Sequence, residues 1–163
     1  NSYFSLGNLS GYKSLQFSLL NYDEPIMRKS VQVIQQDRNG CLWLGSGMGV
    51  GKYDGYKVNF LEGNDKLQSV VLTIFEDNSG NLWFGSALGL GMYTPEYDTF
   101  NIIKFQDLNY IALNRNFIIR IVESNNGCLW MATVGGGLIR FDTKTGNKKY
   151  YTDSLYSNSN NRY

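Results

Sequence analysis

This 163-residue chain contains no histidine, so any chemistry would fall to its carboxylates, hydroxyls, thiols, lysines and arginines. That absence removes Ser-His-Asp catalysis, the usual zinc ligand sets and the commonest general base. A pair of carboxylates could still cleave a glycoside, one acting as acid and the other as base or nucleophile. The setting of the aspartates favours a different role. Asp37 opens Asp37-Arg38-Asn39-Gly40, and Asp77 opens Asp77-Asn78-Ser79-Gly80. An aspartate at the start of a tight turn uses its carboxylate to accept backbone N–H groups. Asp54 and Asp142 stand at the next turn of their respective segments and read the same way. No catalytic residue, metal ligand or cofactor is assigned on this reading.

Each aspartate belongs to a longer recurring stretch. Asp37 to Ser46 and Asp77 to Ser86 share a skeleton of a turn-forming residue, two polar residues, a glycine and an apolar run around a tryptophan. Ser124 to Thr133 repeats it with Ser124 in place of the aspartate. Such a stretch suits a tight hairpin that feeds a strand. All three tryptophans, Trp43, Trp83 and Trp130, fall at this one position. With the hairpin glycines Gly40, Gly80 and Gly127 they are the structural anchors of a repeat. Cys41, Trp43 and Gly45 point to one face of the strand, Leu42 and Leu44 to the other, and both sets are apolar. Both faces are therefore expected to be covered, with Gly45 leaving room for the indole. Each tryptophan reads first as a packing residue, the alternative being a surface on which sugars stack.

Around this stretch the chain divides into units of four short strands. Residues 31–61, 71–103 and 118–151 each read as one antiparallel four-stranded blade of a β-propeller. Residues 1–14 read as a lead-in, and 15–30 as an orphan closing strand and loop. The polar tail 152–163 occupies the place of a loop toward a fourth blade. The expected architecture is all-β, an incomplete N-terminal portion of a larger propeller. Trp43 and Trp83 are 40 residues apart, Trp83 and Trp130 47 apart, and the excess lies in the connection before residue 118.

That long connection supplies the candidate ligand contacts. Tyr110, Asn114, Arg115 and Asn116 lie in it, and Arg120 stands just inside the next strand, where the other units carry Val33 and Thr73. Arginine and tyrosine can hydrogen-bond to and stack on a sugar. The plainer reading is a surface loop, with Arg120 paired to a carboxylate.

Composition limits the remaining classes. With 15 basic and 14 acidic residues the net charge is +1, and no Lys/Arg cluster exceeds Lys148-Lys149, so nucleic acid is not an expected partner. No apolar run approaches the roughly 20 residues that span a bilayer. Cys41 and Cys128 occupy the same position in different units and are expected to be two buried, unpaired thiols.

The motif resembles the two-component regulator propeller repeat, roughly V-x-x-I-x-x-D-x-x-G-x-L-W-[IL]-G-[TS]-x-x-G-[GL]-L-x-x-[YF]-D. The first unit matches through Val31, Ile34, Asp37, Gly40, Leu42, Trp43, Leu44, Gly45, Ser46, Gly49, Val50, Tyr53 and Asp54. The second follows from Val71 to Tyr93, and the third from Ile118 to Asp142, with Ser124 for aspartate and Ala132 for glycine. The resemblance implies the periplasmic sensor region of Bacteroides-type hybrid two-component histidine kinases, membrane-anchored by parts outside this chain, and oligosaccharides as the signal. It implies a non-catalytic segment: there is no histidine to phosphorylate, and Gly135-Gly136-Gly137 lacks a following Lys-Ser/Thr. The alternative is a scaffold for protein interaction or receptor dimerisation that binds no small molecule. The expected partners are the remaining blades of the receptor, and a second copy through homodimerisation or strand-mediated self-association.

Overall fold

A computed structural model describes residues 30–61, 69–103, 105 and 117–151. These form twelve strands: β1 (Val31–Gln36), β2 (Leu42–Ser46), β3 (Gly49–Tyr53), β4 (Val58–Phe60), β5 (Val71–Glu76), β6 (Leu82–Ser86), β7 (Gly89–Thr94), β8 (Thr99–Ile103), β9 (Ile118–Glu123), β10 (Cys128–Thr133), β11 (Gly137–Asp142) and β12 (Lys148–Tyr151). They make three antiparallel sheets of four strands, each in chain order: β1 to β4, β5 to β8 and β9 to β12. Strand ends differ by about a residue from the sequence reading, as at the third strands, which begin on Gly49, Gly89 and Gly137. The expected lead-in, orphan strand and C-terminal loop lie outside the described residues.

Every sheet begins with the same hairpin. Asp37 N–H donates to the Cys41 carbonyl (3.0 Å) and Gly40 N–H to the Asp37 carbonyl (2.9 Å), and the pattern recurs at Asp77 and Ser124. The fourth hairpin residue carries a left-handed φ of 86°, 88° and 78° at Gly40, Gly80 and Gly127. A side chain there would be strained, so glycine recurs for a backbone reason. Each first strand also shifts register once near its outer end, between Val31 and Val33, between Val71 and Thr73, and opposite Ala132 and Thr133.

Most of the core lies between sheets, with a small cluster of Leu44, Val58 and Tyr53 within the first. Trp43 and Val50 of the first sheet meet Val71, Ile74, Leu82, Phe84 and Tyr93 of the second. Trp83 and Leu90 of the second meet Ile118, Ile121, Leu129, Met131, Ile139 and Phe141 of the third. Thus one face of a sheet presents its tryptophan, and the other face receives the tryptophan of the sheet before. Trp43 sits 5.8 Å from Phe84 and 5.2 Å from Tyr93, ring centre to ring centre, in tilted geometry. Trp83 meets Phe141 edge-on at 6.1 Å. Burying one such indole contributes about 4 to 6 kcal/mol before the entropy of ordering it.

Three sequence expectations are corrected by this packing. Among the described residues only the middle sheet has another sheet on each face, and its β6 is buried at every residue; in the first sheet Leu44 and Val58 are buried on the face away from Trp43, whereas Ile34 beside them is exposed. Gly45 does not make room for its own Trp43: a Cβ there would lie 2.5 Å from Val33 Cγ1 and 2.8 Å from Val71 Cγ1. Gly85 is held likewise by Thr73, by Ile118 Cγ2 (2.7 Å) and by the Ile118 carbonyl oxygen (2.9 Å). The glycine lets the first strand of the next sheet come close. Finally, of the two free thiols only Cys128 is buried, whereas Cys41 is partly exposed. Arg140 donates to Cys128 Sγ (2.9 Å) and covers it, while its counterpart Lys52 lies over the Trp43 ring instead.

Gly85→Ala is expected to destabilise the protein by about 1 to 3 kcal/mol, because the added methyl meets a backbone carbonyl that no rotamer change can move. Gly45→Ala, which meets only valine side chains, should cost less. Urea unfolding of both variants checks this, and equal midpoints would contradict it.

Candidate functional site

The sheets present two rims of different character. At one rim stand the first hairpins and the turns between third and fourth strands, joined where Thr143 Oγ1 donates to the Gly127 carbonyl (3.2 Å). At the other stand the turns between second and third strands and the ends of the chain connections. There Ala87 N–H reaches the Val70 carbonyl (3.3 Å) and Val134 N–H the Phe117 carbonyl (3.0 Å).

The carboxylates of the hairpin rim are committed to structure. Asp37 Oδ1 accepts the N–H groups of Asn39 (3.0 Å) and Cys41 (2.9 Å), and its Oδ2 accepts the Trp43 indole N–H (2.8 Å). Asp77 does the same with Ser79 and Asn81 (2.9 Å each) and with Trp83 (2.7 Å). The sequence reading anticipated the backbone caps; it missed the indole, although the constant spacing of Asp and Trp in two units was a usable signal. In the third unit Ser124 Oγ donates to the Cys128 carbonyl (2.9 Å), and Trp130 is partly exposed, stacked on Tyr151 at 5.4 Å.

Also missed was a tie between neighbouring sheets. Glu76 accepts the backbone N–H of Arg38 (2.9 Å) and forms an ion pair with its guanidinium, which also donates to the carbonyls of Asp77 (2.5 Å) and Asn78 (3.4 Å). Glu123 accepts the Asn78 N–H (2.8 Å) in the same way from the next sheet. Each glutamate closes a first strand and holds the hairpin of the sheet before. Their recurrence immediately before the hairpin, with Gln36 in the first unit, was visible in the sequence.

The remaining aspartates complete turns. Asp54 Oδ1 accepts from Tyr56 (2.9 Å) and Lys57 (3.0 Å), and these N–H groups, that of Lys57 foremost, hold its carboxyl below the usual range. The N–H of Thr145, then that of Lys144, does the same for exposed Asp142. Burial, and then its hydrogen bond to Asp98 (2.8 Å), pushes the Tyr93 phenol up to about 12. Among the described residues no three His, Cys, Asp or Glu side chains converge on a point that could hold a metal ion.

Of the candidate ligand contacts, Tyr110, Asn114, Arg115 and Asn116 lie outside the described residues. Arg120 is exposed on β9, opposite Ala132, in the register of Val33 opposite Gly45 and Thr73 opposite Gly85. It projects from the tryptophan-bearing face of the third sheet, close to the rim of the second-to-third turns. On that rim Met48, Leu88 and Val134, one from each sheet, are exposed.

Asp77→Ala is expected to destabilise the protein by about 2 to 4 kcal/mol, since it strands a buried indole N–H and two backbone donors. Ser124→Asp, which restores the cap in the third hairpin, should stabilise by about 1 kcal/mol. Chemical denaturation of both variants measures these changes; a neutral Asp77→Ala would refute the structural role.

Comparison with known proteins places the repeat. The family model described as "Two component regulator propeller" matches residues 26–48 and 66–87, the first two copies of the motif. The third copy, with Ser124 and Ala132 at two signature positions, lies outside the match. No curated protein sequence matches the chain. Among solved structures, the extracellular domain of the proposed hybrid two component system BT3049 from B. thetaiotaomicron is similar with a TM-score of 0.59 at 23% identity, over 76% of this chain and 18% of that one. The extracellular domain of the proposed one component system BT4673 from the same organism gives 0.58 at 21%, over 73% and 16%. Virginiamycin B lyase from Staphylococcus aureus gives 0.59 at 17%, over 80% and 44%. The chain thus spans less than half the length of each, and at these identities the likeness is one of fold. The chain is therefore a run of β-propeller blades, of which residues 26–48 and 66–87 match the two-component regulator propeller repeat.

Proposed function

We propose that this propeller is the extracytoplasmic, ligand-sensing part of a two-component regulator, non-catalytic in itself, acting in the periplasm on an oligosaccharide signal that controls polysaccharide use. The observation that carries the reading is the repeat match in residues 26–48 and 66–87. The likeness of fold to extracellular domains of two such systems supports it. No helix among the described residues is long and apolar enough to cross a membrane, so an anchor would come from elsewhere in the receptor.

Two observations favour binding over turnover. Asp37 and Asp77, the best placed carboxylates, are spent on backbone and indole donors. The similar lyase structure is a catalytically inactive histidine-to-alanine variant, and this sequence contains no histidine. The ligand would meet the rim of the second-to-third turns, with Tyr110, Asn114, Arg115, Asn116 and Arg120 as its contacts. A binding-dependent change in how neighbouring blades or subunits sit would carry the signal. The second reading, a scaffold for receptor dimerisation, draws on the apolar surfaces this chain exposes.

A thermal-shift screen against plant and host oligosaccharides distinguishes the two. One glycan class should raise the melting temperature with increasing concentration, by a stabilisation of about 2.7 kcal/mol at a hundredfold excess over Kd. Arg120→Ala should weaken that response without lowering the unliganded melting temperature. A folded protein with no shift across the panel would overturn ligand sensing in favour of the scaffold.

A further inference from the structure

Two of the hairpins that open the sheets carry an Asn-Gly pair, Asn39-Gly40 in the first and Asn126-Gly127 in the third. In such a pair the backbone nitrogen of the glycine can attack the amide carbon of the asparagine side chain, because a residue without Cβ leaves the approach open. Both pairs start from one geometry. The glycine is left-handed, with φ of 86° and 78°, and its N–H donates to the carbonyl of Asp37 or Ser124 at 2.9 Å. That bond guards the nitrogen in both hairpins, so the difference between them lies in how firmly each is kept closed.

A carboxylate closes the first hairpin. Asp37 Oδ1 accepts the N–H groups of Asn39 (3.0 Å) and Cys41 (2.9 Å), and hydrogen bonds to an ionised acceptor are roughly twice as strong as neutral ones. Ser124 stands at that position in the third hairpin, and there the Cys128 N–H turns to the amide oxygen of Asn126 itself, at 3.4 Å. The Ser124 hydroxyl lies 2.5 Å from the same oxygen and 2.9 Å from the Cys128 carbonyl, and its single proton serves one of the two. The third hairpin is therefore held by weaker bonds, and the side chain that helps to hold it is the amide that would react. Asn126 is exposed, as are Asn39 and Ser79, which occupy its position in hairpins that another sheet adjoins. Solvent thus reaches this position whether or not a further sheet lies against the third.

We propose that Asn126 is a site of spontaneous covalent modification, its side-chain amide converted to an acid faster than that of Asn39. The Gly127 nitrogen gives up its proton to hydroxide and bonds to Asn126 Cγ, and the amide nitrogen leaves as ammonia, closing a cyclic imide. Water then opens the imide at either carbonyl, so that one water is consumed and one ammonia released, with no change of oxidation state. Opening at one carbonyl gives aspartate, which adds a negative charge and an ionised acceptor to the turn. Opening at the other gives isoaspartate, whose longer main chain no longer fits the spacing that the hairpin bonds span.

Peptide mass spectrometry on the chain, incubated warm at mildly alkaline pH, tests this. Amide-to-acid conversion should run about tenfold faster at Asn126 than at Asn39, the factor that exchanging a neutral hydrogen bond for a charged one can give. Equal rates at the two positions, or no conversion at Asn126, overturn the proposal. In denaturant the two rates should converge, and a difference that persists there overturns the structural cause. Ser124→Asp, which returns the carboxylate to the third hairpin, should slow conversion at Asn126 toward the rate at Asn39. An unchanged rate in that variant overturns the role of the missing carboxylate.

Discussion

A sheet that is apolar on both faces has to be sandwiched, and every other feature of this chain follows from that constraint. The middle sheet meets it: Trp83 and Leu90 leave on one face, and Leu82, Phe84 and Tyr93 receive Trp43 on the other. Such stacking is not selective by itself, because hydrophobic burial is non-directional. Selectivity comes from shape. Gly45 and Gly85 open a gap that Val71 and Ile118 enter, so the next first strand sits at one height and no other. The third sheet, with Ala132 at that position and exposed Arg120 opposite, has relaxed the rule where no described sheet presses on it.

Polar groups then fix what packing leaves free. The Asp37 and Asp77 carboxylates each satisfy two backbone donors and one indole, so a single side chain sets the hairpin and the tilt of the tryptophan together. A buried indole N–H without a partner would cost about 1 to 3 kcal/mol, which makes the aspartate the natural companion of a tryptophan at this spacing. Glu76 and Glu123 extend the network to the neighbouring sheet. Hairpin geometry, indole orientation and blade order are thereby coupled at one rim, and that rim is rigid for the same reason.

The sequence made the twelve strands legible because the hairpin motif recurs in register, and three weak signals aligned are stronger than their sum. It also showed that Asp37 and Asp77 would cap backbone groups. It did not show which neighbour fills the space at Gly45, since a glycine beside a tryptophan is compatible with both answers until the next strand is placed. Nor could it show that Cys41 and Cys128, alike in position, differ in exposure; that depends on whether Arg140 or Lys52 folds over the thiol or over a ring. The pairing of Arg38 with Glu76 spans 38 positions of sequence and becomes visible only when the blades are stacked. Of the candidate ligand contacts, Arg120 alone falls among the described residues, where it is exposed on β9.

A division of labour between the rims follows from where hydrogen-bonding capacity has been used. At the hairpin rim the side-chain acceptors of Asp37 and Asp77 already hold donors of the same chain, and a ligand would have to displace bonds that maintain the fold. At the opposite rim Ser46 and Ser86 hold only their own turns, through the N–H groups of Met48 (3.0 Å) and Leu88 (3.2 Å). The side chains of Met48 and Leu88 are left facing solvent. Loops and turns on a rigid support are where proteins place recognition, because they vary without disturbing the packing beneath. Binding at this rim would bridge turns from neighbouring sheets, whose relative position is set by the glycine gaps and the glutamate ties. A ligand that drew those turns together would therefore act on the contact between blades, the element a sensor has available to carry a signal away from the site where it is received.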